Sequence, residues 1–159
     1  MTKTVGVDSS TAKTGMSLFV DGVYREHCLI DKSKIHDVEE RIDEMGKSII
    51  KQLDVWKPDL LFIESPRGHG NNLGLVEKLA TVIGIVRGWC LQNNVYIRTV
   101  LPSVWRKHIG IQQGKKRRDE LKAESVSYVK RTYNIDCTDD EADAICIGGA
   151  IIKRDGELS

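Results

Sequence analysis

The first thirty residues break into apolar runs of strand length. TVGVD (4–8) is a continuous apolar run, and GMSLFV (15–20) follows a polar turn. Asp21-Gly22 is a two-residue hairpin signal leading into VYREHCLI (23–30), where polar and apolar positions roughly alternate. The period then changes. Ile35, Val38, Ile42, Met45, Ile49, Leu53 and Trp56 recur three or four apart, which predicts an amphipathic helix ended by Lys57-Pro58. DLLFIE (59–64) is short and apolar, as expected of a parallel strand covered on both faces. SPRGHGNN (65–72) is a loop by composition. A second helix over 73–91 carries apolar residues on a wide arc: Leu73, Leu75, Val76, Leu79, Val82, Ile83, Val86 and Trp89. Gly84 and Gly88 within it lose roughly 1 kcal/mol each of helix propensity. They let another backbone approach, either the sheet or a second subunit. VYIRTV (95–100) is a fifth strand, and Pro102 opens a helical turn through Trp105. GIQQGKKRR (110–118) reads as a mobile basic loop, followed by a helix from about Asp119 to Tyr133. Thr138 and Glu141 form a Thr-x-x-Glu capping box, which starts the last helix near Asp139.

The order β-β-β-α-β-α-β-α-α predicts an α/β fold: a five-stranded mixed sheet, order 3-2-1-4-5, with helices on both faces, in a single domain over 1–159. The first and fourth strands are then parallel neighbours with carboxyl ends about 5 Å apart. The strand order reverses between them, the usual place for a ligand crevice.

Composition narrows the class. Hydrophobic content of 40% and charged content of 30% suit a globular core, and no apolar run approaches the ~20 residues of a membrane span. The N-terminus enters a strand pattern with no signal-peptide segment. Cys28, Cys90, Cys137 and Cys146 lack metal-site spacing and read as reduced thiols of a cytoplasmic protein, with zinc disfavoured. The net charge of +1 hides an asymmetry: residues 106–131 hold nine Lys/Arg against three acids. A basic stretch suits a polyanionic partner.

Four acids fall where apolar runs meet breaks. Asp8 closes TVGVD, Glu64 closes LLFIE, and Asp140 and Asp143 lie three apart in TDDEADAICIG. A carboxylate at a buried strand end is costly to desolvate unless a cation neutralises it. Oxygen-only ligands point to Mg²⁺ or Mn²⁺, and hence to phosphoryl transfer, with a nuclease the first expectation. Each acid also has a plainer explanation: a turn former at Asp8, a surface carboxylate at Glu64, and helix-dipole acids at Asp140 and Asp143.

The ordered set GVDSS…TG, FIESP and DEADAI resembles the RuvC-type Holliday junction resolvases of the ribonuclease H-like superfamily, over nearly the whole chain. Its brevity and loops are more similar to the phage-encoded branch, which would place it in the host cytoplasm. The resemblance implies that Asp8, Glu64, Asp140 and Asp143 are the catalytic and metal-binding carboxylates, with Asp139 competing with Asp140 and Glu141 serving the cap. Two ions per site, about 3.5–4 Å apart, would then straddle the scissile phosphate, with Asp8 bridging them. Products would carry 5′-phosphate and 3′-hydroxyl ends, and a homodimer, with helix 73–91 at its interface, would cut opposed strands of four-way or other branched DNA. Lys115, Lys116, Arg117 and Arg118 are expected on DNA phosphates, and Lys116 or Lys122 near the scissile one. The bacterial members carry an aromatic residue after the second acid. Here that loop has none, and Arg67 and His69 are the candidates for stacking on bases. Ser9, Ser10 and Thr11 read as turn formers or phosphate ligands, His69 and His108 as candidates for proton transfer, and Trp105 as core.

Other functions fit less of the chain. GVDSSTAKTG also resembles the phosphate hairpin of the actin, Hsp70 and sugar-kinase ATPases, but those need two such domains. A non-catalytic DNA-binding module should have lost some of the acids. A less selective nuclease acting on branched DNA or RNA–DNA hybrids remains open.

Overall fold

The computed structural model describes residues 1–66 and 72–157, with side chains described through residue 152. Five strands, β1 (Lys3–Asp8), β2 (Lys13–Val20), β3 (Val23–Asp31), β4 (Leu60–Glu64) and β5 (Tyr96–Val100), form a sheet in the order β3-β2-β1-β4-β5. β1 runs antiparallel to β2 and parallel to β4, and β5 is parallel to β4. This is the expected mixed sheet. Asp21 and Gly22 both take positive φ, closing the β2–β3 hairpin as their sequence demands.

α1 (Val38–Trp56) and α2 (Leu73–Gln92) cover one face, burying Met45, Ile49, Leu53, Val82 and Val86 against Val5, Val7, Leu61 and Ile63 of the sheet. Asp37 caps α1 by accepting from the Glu40 N–H (2.8 Å), and Lys57 ends it in a left-handed conformation before Pro58. The other face carries α3 (Pro102–His108), α4 (Arg118–Tyr133) and α5 (Asp139–Glu157), whose Trp105, Leu121, Val129, Ile145 and Ile147 pack with Phe19 and Phe62. The turn expected through Trp105 is a full helix reaching His108. All four cysteines are free thiols, and no described helix is long and apolar enough to cross a membrane.

Three glycines set where α5 lies. A methyl on Gly6 of β1 would overlap Ala144 and Gly148 of α5, one on Gly15 of β2 would overlap the Asp140 carbonyl, and one on Gly148 would meet the Phe19 ring at 2.6 Å. The helix therefore lies against bare sheet backbone, with its first turn over Gly15. Gly84 and Gly88 of α2 differ. Both are exposed, and an added methyl at either meets nothing within 4 Å, so neither serves packing on the sheet.

Candidate active site

Side-chain alternation decides where the strand-end acids point. Val5 and Val7 of β1 face α1 and α2, so Gly6 and Asp8 face α5; Leu61 and Ile63 of β4 likewise leave Phe62 and Glu64 to the α5 side. Val7 pairs with Ile63, which makes Asp8 and Glu64 the next neighbours along the two strands. Asp8 also pairs with Gly15, the residue over which Asp140 lies. Asp143, one helical turn on, is 3% exposed. Four acids from three remote segments thus share one end of the sheet.

Their electrostatics show the crowding. The Asp8 carboxyl is held well above its ordinary range by burial, then by Glu64 and Asp143, with Lys122 only partly opposing them. Glu64 is raised by burial, although Trp105 Nε1 donates to its Oε2 at 2.8 Å. Asp143 is raised by burial, with Ser125 and Lys122 counteracting. The Ser125 hydroxyl is nevertheless committed to the Leu121 carbonyl at 3.3 Å, and Asp143 Oδ1 is buried without a hydrogen-bond partner.

Lys122, from α4, answers part of this charge. Its Nζ lies 2.9 Å from Asp140 Oδ1, 3.4 Å from Asp143 Oδ2 and 3.5 Å from Asp139 Oδ2. Burial alone would lower the ammonium's affinity for its proton, but Asp143, the Asp140 hydrogen bond and Asp8 outweigh it and hold the group protonated. Among the described residues, no three His, Cys, Asp or Glu side chains are grouped closely enough to form a ready-made ion site. The Lys122 ammonium instead links the Asp140 and Asp143 carboxylates. The donor set still suits a hard divalent cation: the side-chain donors are carboxylates, one buried oxygen lacks a partner, and the charges are incompletely neutralised.

Asp8, Glu64 and Asp143 floor an open cleft of about 450 Å³, walled by Arg106, Arg118, Lys122 and Gln113, whereas Asp140 lines the adjoining hollow. Of the expected basic residues, Arg118 and Lys122 line this cleft, whereas Lys115, Lys116 and Arg117 are exposed beside it. Lys116 pairs with Glu124 at 2.5 Å, and Arg117 lies near Asp119 (3.4 Å) and Glu120 (3.8 Å). The capping box is formed: Thr138 Oγ1 accepts from the Glu141 N–H (3.3 Å), and Glu141 Oε2 accepts from the Thr138 N–H (2.8 Å). Ser10 is a turn former, its Oγ accepting from the Lys13 N–H at 2.8 Å, and buried Thr11 accepts from Arg41 at 3.5 Å. His108, at the end of α3, is not among the cleft residues. Arg67 and His69 lie outside the described residues.

No family model and no curated protein sequence matches the chain. Solved structures do. T. thermophilus RuvC in complex with Holliday junction substrate aligns with a TM-score of 0.80 at 13% identity, over 99% of this chain and 96% of that one. Another Thermus thermophilus RuvC structure gives 0.76 at 15% identity, over 98% and 96%. The yeast mitochondrial Holliday junction resolvase Ydc2 gives 0.67 at 9% identity, over 99% and 80%. The chain has the RuvC fold.

Within that RuvC fold, two contributions to the site, from Trp105 behind the cleft and Arg106 in its wall, escaped the sequence reading. Trp105 is fully buried, as expected, but its indole also fixes Glu64. Arg106 stacks on the Trp105 ring at 4.7 Å, and its charge reaches Glu64 and Asp143. The available signal was position. A short helix following the strand beside β4 delivers its side chains to the end of β4, where Glu64 lies.

Proposed function

We propose that this protein is a divalent-metal-dependent endonuclease that resolves Holliday junctions and related branched DNA by paired nicks. One observation carries the reading: Asp8, Glu64 and Asp143 meet on the floor of a cleft whose walls are Arg106, Arg118 and Lys122. Acid below and base around suits a phosphodiester approached with bound cations, and suits a neutral or apolar substrate poorly. That the fold is also that of a RuvC bound to a Holliday junction substrate supports branched DNA as the ligand.

In this reading Asp8, Glu64, Asp140 and Asp143 hold two Mg²⁺ or Mn²⁺ ions. Bound there, those ions would supply water activation and charge neutralisation at the leaving 3′ oxygen, the chemistry of hydrolysis to 5′-phosphate and 3′-hydroxyl ends. The remaining work belongs to the chain. Trp105 fixes the Glu64 carboxylate in one orientation. Arg106 and Arg118 present planar donors to the phosphate oxygens. Lys115, Lys116 and Arg117, exposed beside the cleft, meet flanking phosphates and set register without reading sequence.

Two opposed nicks require two sites, and the exposed side of α2 supports a dimer. Gly84 and Gly88 lie open there, in a helix whose ends expose Leu73 (80%) and Leu91 (69%). The test offers purified protein, with Mg²⁺ or Mn²⁺, a four-way junction, a fork, a plain duplex and an RNA–DNA hybrid. Symmetric, religatable nicks in the junction are expected. Preference for the hybrid, or equal cutting of plain duplex, would overturn the junction assignment.

A further inference from the structure

We propose that Lys122 is the resident counter-ion of the acidic cluster and competes with a divalent ion for Asp140 and Asp143. This rests on the metal-dependent reading and adds to it a device that limits metal loading in the free protein.

Three observations converge. The ammonium reaches Asp139, Asp140 and Asp143 together, at 2.9–3.5 Å, and its side chain is only 15% exposed. An exposed lysine would make one loose pair; this one bridges the first turn of α5. The arrangement is also incomplete, because Asp143 Oδ1 stays buried with no partner while its Oδ2 faces Lys122. One ammonium therefore occupies the cluster without satisfying it, leaving an oxygen for which a stronger cation would compete. Finally, Lys122 lines both the main cleft and the adjoining hollow that includes Arg117, Arg118 and Asp139. Its four-carbon stem can carry the charge out of the cluster without moving α4.

The competition is Coulombic. A divalent ion on the Asp140 and Asp143 oxygens would sit beside a like charge, so the ammonium must move away or the ion must bind weakly. A unit charge within about 4–6 Å changes proton affinity by one to three decades, and a metal ion on the same oxygens is subject to the same repulsion.

The test titrates Mn²⁺ into the free protein, without DNA, by calorimetry. Lys122→Met keeps the stem and removes the charge, whereas Lys122→Arg keeps the charge. The dissociation constant of Lys122→Met should be lower than wild type by roughly tenfold or more, with Lys122→Arg near wild type. Mn²⁺ should also raise the melting temperature of Lys122→Met more than that of wild type. Lys122→Gln provides the same reading if the methionine variant folds poorly. Equal or weaker Mn²⁺ binding by the neutral variants overturns the proposal, and Lys122 is then only a structural ion pair. Binding that is absent from every form, or unchanged by Asp8→Asn, refutes the metal reading itself and this inference with it.

Discussion

At the scale of single residues, function and stability pull in opposite directions. Asp8, Glu64 and Asp143 are each held above their ordinary carboxyl values, chiefly by burial. A raised folded value means that the native state binds the proton more tightly than the unfolded chain. The stabilisation is complete below the ordinary value, 3.8 for aspartate, and is lost as pH rises through the raised one. Without metal, Asp8→Asn should therefore melt above wild type, by a margin that widens from acid toward neutral pH. Thermal melts with and without Mg²⁺ check this, since the ion should stabilise wild type and leave the variant nearly unmoved. A margin that shrinks toward neutral pH would contradict the electrostatic account. Trp105→Phe keeps most of the core volume and removes the hydrogen bond to Glu64. It should lower stability by about 1 kcal/mol in urea unfolding. Nicking should fall roughly 10-fold to 100-fold, as when other partners of metal-binding side chains are lost. The strand-end acids were legible in the sequence because each closes an apolar run. The Trp105–Glu64 bond was not, because a contact across 41 positions leaves no local pattern.

Among elements, the decisive contact is that of α5 with β1 and β2. Gly6→Ala places a methyl against the Ala144 carbonyl and the Gly148 backbone, which cannot yield without shifting the helix. The expected loss is about 1–3 kcal/mol or more by urea unfolding. Nicking should fall further than the lost stability explains, because Asp140 and Asp143 move with α5. Full activity of a folded Gly6→Ala protein would show that α5 need not sit so closely. The strand order was readable because a hairpin turn, a two-sided apolar strand and short connections leave few topologies. The docking of α5 was not readable from the helix's own pattern, although glycines inside the β1 and β2 runs carried the signal that another backbone approaches there. The basic segment 110–118 showed the converse. Its composition suggested a mobile loop, yet Ile111 is buried and Lys116 and Arg117 have acidic neighbours, contacts that composition does not reveal.

For the whole molecule, the proposed function makes DNA engagement depend on charge and on a symmetric dimer. Junction affinity should fall steeply with salt, and neutralising Lys115, Lys116, Arg117 and Arg118 should flatten the log–log slope by about two to three units. The full value for four cations is not expected, because Lys116 and Arg117 are partly paired in the free protein. Gly84→Arg tests the dimer face. The added side chain enters open space, so helix propensity should rise by up to about 1 kcal/mol while self-association in sedimentation is lost. A dimer that survives would remove α2 from the interface. The expectations for nicking rest on the acids at the sheet's end acting on a phosphate through bound cations. Anomalous diffraction from crystals soaked in Mn²⁺ tests that assumption most directly. The account predicts manganese peaks within coordination distance of Asp8, Glu64 and Asp143, with Lys122 withdrawn from Asp140. Density lacking any such peak, with Lys122 still bridging Asp140 and Asp143, would contradict it.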